Sequence, residues 1–259
     1  MPRRTTRPAD TTAFTDFVAH ASASPEVVGL VLSGSHAREG MATAHSDHDV
    51  YVITADGRTV TPAALLDGRR SAALDVMRLS LSEFRTRGLP GGTDPWDRYA
   101  FVHSRVLLDR LDGTITRLVA EKAALGAPEA HRLVRSELDA YINSLYRSVK
   151  SHRDARPAVA HLDAAESVPY LLTVVFALHQ RVRPYNKYLL WELEHHPLGA
   201  PEWAADVLFP QLRLIVADGD PATQRALFAT VERAARQAGH ASVLDSWGAD
   251  IDLLRPRSR

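Results

Sequence analysis

Strand signals stop near residue 125, and this break governs what the chain can fold into. Before it, short β-branched apolar runs alternate with Gly-marked turns and brief helical patterns. After Gly126 and Pro128 the apolar residues recur at helical spacing and no strand run returns. A length of 259 residues lies near two domains on a prior of about 150 residues each. The pattern predicts an α+β domain over residues 1–125, a mixed sheet with flanking helices, followed by an all-α helical bundle over residues 126–259.

Within the first domain, residues 27–33, 47–54, 74–79 and 105–108 read as strands. Residues 1–12 read as a flexible arm, 15–23 as a weakly patterned helix and 63–66 as a short helix before the turn Asp67-Gly68. Ser80 and Glu83 form an S-x-x-E capping box that opens another helix, and Asp94-Pro95 starts one more. In the second domain residues 129–153 place Val134, Leu138, Tyr141, Leu145 and Val149 on one stripe. Helical patterns follow over 159–182, with a bend expected at Pro169, and over 188–193, 203–215, 221–237 and 243–254.

Composition narrows the function classes. Lys+Arg and Asp+Glu both number 31, so the net charge is zero and the basic excess of a protein that coats long nucleic acid is missing. There is no cysteine, which removes disulfides, thiolate zinc sites and a cysteine nucleophile. The first ten residues are basic but lead into no apolar segment, so no signal peptide is expected. The longest apolar run, 168–178, contains Pro169 and is too short to span a bilayer. A soluble cytoplasmic protein without a membrane partner is the expectation; the oligomeric state stays open. Of the basic residues 28 are Arg and 3 are Lys, at 122, 150 and 187.

The chemistry concentrates in residues 31–54, VLSGSHAREGMATAHSDHDVYVIT. A buried strand delivers a turn at Gly34-Ser35. Glycine lets the backbone approach a ligand, Ser35 adds a hydroxyl, and the N–H groups of such a turn can cradle phosphate oxygens. Ser46-Asp47-His48-Asp49 then enters the next strand. Alternate strand residues share a face, so Asp47 and Asp49 project together while His48 points away with Val50 and Val52. Two carboxylates beside a phosphate cradle suit Mg²⁺, which takes carboxylate and phosphate oxygens. Asp75, set among apolar residues in SAALDVMRLS, is costly in a strand unless paired or metal-bound. If its strand lies beside the second one, it completes a triad, as a metal ligand or as the acceptor of a proton from an attacking hydroxyl.

Gly34-Ser35, Arg38 and Gly40, then Ser46-Asp47-His48-Asp49, resemble the G-S…D-x-D signature of the polymerase-beta-like nucleotidyltransferase superfamily. A sheet domain followed by a helical bundle is similar to its minimal and antibiotic-modifying branch, which includes the aminoglycoside nucleotidyltransferases. The resemblance implies a mixed sheet of four or five strands and a Mg²⁺ pair on Asp47 and Asp49, with Asp75 as the third carboxylate. It further implies nucleotide contacts from Gly34, Ser35, Arg38 and Ser46. The implied reaction moves a nucleoside monophosphate, AMP from ATP as first choice, to a hydroxyl of a small molecule such as an aminoglycoside-like antibiotic, releasing pyrophosphate. The alternatives are a toxin–antitoxin-type enzyme that modifies a protein or tRNA, and a non-catalytic nucleotide-binding regulator.

The bundle adds further candidates. Arg147, Lys150 and Asp154 share a polar helical face with Asn143, and RPYNKY at 183–188 places Lys187 beside aromatic residues suited to a base or sugar-phosphate. Lys150 or Lys187 is expected to contact the nucleotide phosphates across a cleft between the two halves. Since some members of the resembled branch take a general base from the helical domain, Glu137, Asp163 and Glu166 stand beside Asp75 for that role. Arg147 and His152 also match the R-x4-H pattern of HEPN ribonucleases. They lie about 140° apart on a straight helix, with His152 on the apolar stripe, so an RNase site is not expected. Nor is a zinc site on His36, His45 and His48: His48 faces away from the aspartates, and loop polarity accounts for the other two.

Overall fold

The structure, a computed structural model, describes residues 8–57 and 73–256. The chain divides into two compact units, Met1–Ala124 and Leu125–Arg259, one residue before the break the sequence suggests. The first is α+β, built on a four-stranded mixed sheet; the second is helical.

The sheet runs β3-β2-β1-β4, with β1 at Val27–Leu32, β2 at His48–Thr54, β3 at Leu74–Ser80 and β4 at Arg105–Asp109. Every residue of β1, VVGLVL, is buried, because the strand pairs on both edges and is covered on both faces. It runs antiparallel to β2 and β4, while β2 and β3 run parallel. One face packs Leu30, Leu32, Val50, Val52, Leu74 and Val76 against Phe17 and Ala21 of helix α1, Pro8–Ala23. The other packs Val31, Tyr51, Ile53 and Leu79 against Phe84, Phe101, Ile115, Leu118 and Val119. These last come from α2 (Leu81–Thr86), the 3₁₀ segment Pro95–Phe101 and α3 (Thr114–Ala123). Gly29 allows the close approach of α3: a Cβ there would sit 2.7 Å from Ile115 Cγ1.

The capping box at Ser80 and Glu83 forms as the sequence predicts. Two expectations change. The arm ends earlier, since residues 8–12 already belong to α1; proline is tolerated in a first helical turn, and the segment lacks the apolar period that would have marked it. The Asp94-Pro95 helix is a 3₁₀ segment. The expected short helix at 63–66 lies outside the described residues.

In the second unit α4 (Ala127–Arg153) and α5 (Pro157–Leu178) are joined by three residues, so α5 folds back along α4. Ser148 Oγ donates to the Ala160 carbonyl at 2.8 Å across the pair. Pro169 sits inside α5 without ending it. α6 (Leu189–His195), α7 (Ala205–Asp218), α8 (Pro221–Gln237) and α9 (Ala241–Asp245) follow, and a 3₁₀ turn, Gly248–Leu254, replaces the end of the helix expected over 243–254. The core joins Val134, Leu138, Leu145, Leu171, Val175, Trp203, Leu212 and Phe228. At 22 residues α5 is long and apolar enough by length and composition to cross a membrane, longer than the apolar run in the sequence. Its buried residues Ala164, Leu171, Leu172, Val174, Val175 and Phe176 lie in this unit's own core, whereas Val159 and Leu162 are exposed.

Candidate metal centre

β1 leaves the sheet at Ser33, whose amide donates to the Asp49 carbonyl at 2.8 Å and whose hydroxyl donates to the Ala100 carbonyl at 2.6 Å. Gly34 follows with φ 64° and ψ −152°, a region open almost to glycine alone. An added Cβ would lie 1.6 Å from Asp49 Oδ2 and 2.6 Å from its Cγ. The Gly34 backbone is therefore seated directly against the Asp49 carboxylate. Ser35 begins a single 3₁₀ turn, Ser35–Ala37, and is half-buried.

Asp47 precedes β2 and Asp49 is its second residue. The parallel register sets Asp49 opposite Asp75, as the triad requires. One carboxylate oxygen from each of Asp47, Asp49 and Asp75 lies within 4.8 Å of the others, and all three residues are half-buried. Oxygen ligands about 2.0–2.1 Å from an octahedral Mg²⁺ stand roughly 3–4 Å apart, so small side-chain rotations close this set on one cation. A donor set made only of carboxylate oxygens matches Mg²⁺, Mn²⁺ or Ca²⁺ rather than zinc or copper. Three like charges at this spacing also favour a bound cation.

His48 points to the other face, stacked between Phe14 at 4.1 Å and His36 at 3.7 Å between ring centroids. His36 is thus held by a ring stack, not merely by loop polarity as the sequence suggests. Ser46 organises the approach to β2: its hydroxyl accepts from the Thr43 amide at 2.9 Å, and its carbonyl lies 3.3 Å from His36 Nε2.

Two hydrogen-bonded networks that start from β2 and from the Gly34 turn were not legible in the sequence. Tyr51, two residues after Asp49 and on the same face, donates its hydroxyl to Asp97 Oδ2 at 2.8 Å. Arg87 bonds the same oxygen at 2.6 Å and Asp94 at 2.7 Å; these carboxylates favour its charge over the opposing cost of burial, and its pKa is raised. Arg38, 3% exposed, donates from Nη1 to the Gly34 carbonyl at 2.7 Å. From Nη2 it donates to Tyr99 and Val102 carbonyls at 3.1 and 2.7 Å. Ties spanning 46 to 64 residues leave no local pattern.

The remaining candidates lie in the second unit. Lys150 and Lys187 are exposed, each ammonium over a neighbouring ring, Tyr146 at 5.9 Å and Tyr188 at 4.7 Å. Arg147 bonds Asp163 at 2.8 Å and Glu166 at 2.5 Å, so both acids are held in ion pairs. Glu137 differs: burial pushes its carboxyl up, against the opposing charge of Arg183. His152 Nε2 lies 2.8 Å from the Gly219 carbonyl. Neither a protein-family model nor a curated protein matches the chain.

Proposed function

We propose that the first unit is the catalytic domain of a Mg²⁺-dependent nucleotidyltransferase, with the sheet arrangement of that superfamily. The observation that carries the reading is the convergence of Asp47, Asp49 and Asp75 across two parallel strands, with Gly34 against Asp49. Asp47 and Asp49 hold the metal, and Asp75 completes the set. When bound, Mg²⁺ supplies charge neutralisation to a triphosphate and to the oxygen that attacks it. The Gly34-Ser35 turn receives the phosphates through its amides and the Ser35 hydroxyl.

In the proposed reaction the acceptor hydroxyl oxygen attacks the α-phosphorus of ATP. The bond to the β-phosphate breaks, pyrophosphate leaves with the electron pair, and the hydroxyl proton passes to Asp75. The acceptor is a small polyhydroxylated molecule of the aminoglycoside kind.

The test is pyrophosphate release from ATP and Mg²⁺ over a panel of such acceptors. Asp47→Asn and Asp49→Asn should each lower turnover by about 10³-fold or more while the fold persists, because metal stabilisation supplies several kcal/mol of the barrier. Normal turnover in folded Asp47→Asn refutes the reading. A mass shift on a protein or tRNA instead moves the acceptor class, and ATP binding without pyrophosphate release leaves a regulator. The same assay on Lys150→Ala and Lys187→Ala reads their assignment to the nucleotide: unchanged turnover in both removes it.

A further inference from the structure

We infer that Arg38 is a positioning residue that sets the metal-binding geometry of Asp49 from behind, rather than a phosphate ligand; this rests on reading the aspartate triad as a metal centre. A cation in a Gly-Ser turn invites the assignment to a triphosphate. The geometry points elsewhere. The residue is 3% exposed, and its guanidinium carbon lies 4.8 Å from the Tyr99 ring centroid. Its two terminal nitrogens reach three main-chain carbonyls on two separate segments, Gly34 on one side and Tyr99 and Val102 on the other. A planar fork is suited to such a span, whereas a lysine ammonium is a point donor on a flexible stem.

These bonds close a ring of contacts around Asp49. Gly34, gripped at its carbonyl by Arg38, abuts the Asp49 carboxylate. Arg38 continues to the 95–102 segment. That segment returns to β2 through Asp97, which accepts from Tyr51, the next residue on the Asp49 face. Ser33 adds a parallel strut, bonding the Asp49 carbonyl with its amide and the Ala100 carbonyl with its hydroxyl. A ligand carboxylate whose neighbours are fixed in this way needs less reorganisation on binding a cation.

The experiment is Mn²⁺ titration of the full chain without nucleotide, followed by electron paramagnetic resonance, with amide hydrogen exchange on the same samples. Arg38→Ala should weaken Mn²⁺ binding about 10-fold or more, the range seen when an outer partner of a metal ligand is lost. Arg38→Lys should stay within about threefold of Arg38→Ala, since a point charge does not span the two segments. A phosphate ligand behaves differently: Arg38→Ala would keep Mn²⁺ affinity within about twofold and lose ATP affinity, and that result overturns the inference. If Arg38→Ala does not fold, Tyr51→Phe decides. It opens the ring at Asp97, and Mn²⁺ affinity should fall about threefold; unchanged affinity overturns the inference. If wild type binds no more Mn²⁺ than Asp49→Asn, the metal reading itself has failed. The ring is then judged by exchange alone: faster exchange of amides 33–38 in Arg38→Ala, or in Tyr51→Phe where Arg38→Ala does not fold, supports it, and unchanged exchange refutes it.

Discussion

Gly34→Ala separates two reasons for a glycine in this turn, closeness to a ligand and closeness to Asp49. The backbone at φ 64° and ψ −152° costs a non-glycine residue about 1–3 kcal/mol. At about 2–4 °C per kcal/mol for a chain of this size, the melting temperature should fall by roughly 2–12 °C. The new Cβ would also stand 1.6 Å from Asp49 Oδ2. Restoring ordinary contact moves the carboxylate by roughly 2 Å. That atom is the far end of a side chain, so Asp49 rotates away and the sheet survives. Metal–ligand distances tolerate only about 0.2 Å, so the rotated carboxylate leaves the triad. Mn²⁺ affinity without nucleotide should fall by about 10–100-fold or more. Combining Gly34→Ala with Asp49→Ala should cost less than the sum of the two, because the carboxylate that clashes is gone. A Gly34→Ala protein that binds Mn²⁺ within about twofold of wild type would refute this reasoning, leaving ligand approach as the reason for the glycine.

Two further expectations concern groups outside the metal centre. Lys122 is fully buried, donates to the Arg85 and Arg87 carbonyls, and burial holds its ammonium down at about 8. Between pH 8 and the ordinary lysine value the unfolded chain holds a proton that the folded chain has released, so stability rises with pH there, by at most about 1.4 kcal/mol per pH unit. The urea midpoint of the first unit should therefore climb from pH 8 to 9.5 in wild type but not in Lys122→Met; equal slopes would count against it. His152→Ala removes a contact to the Gly219 carbonyl, which also accepts from Gln224 at 2.9 Å. The loss should be near 0.5 kcal/mol, the low end for a hydrogen bond, with pyrophosphate release unchanged; an RNA-cleaving activity lost only in this variant would establish the ribonuclease reading instead.

Local patterns determined much of this protein. The runs at 27–33 and 74–79, the capping box at Ser80 and the stripe through Val134, Leu138 and Leu145 can be read because strand and helix periods are short-range properties of side-chain direction. For the same reason the alternation from Asp47 to Val52 told that Asp47 and Asp49 share one face and that His48, Val50 and Val52 share the other. Tertiary structure decided what no short window contains. Only the parallel pairing of β2 with β3 sets Asp75 opposite Asp49, since register depends on the whole sheet and a slip of one residue would turn Asp75 to the other face. The 3₁₀ form of 95–101 goes with the burial of Asp97, Arg98, Tyr99, Ala100 and Phe101, which propensity does not encode. The work of Arg38 was likewise hidden. In the sequence it is a cation near a phosphate turn; in the fold its guanidinium is buried against carbonyls 61 and 64 residues away as well as that of Gly34. Burial changes the meaning of a charge, and burial exists only once the chain has closed around it.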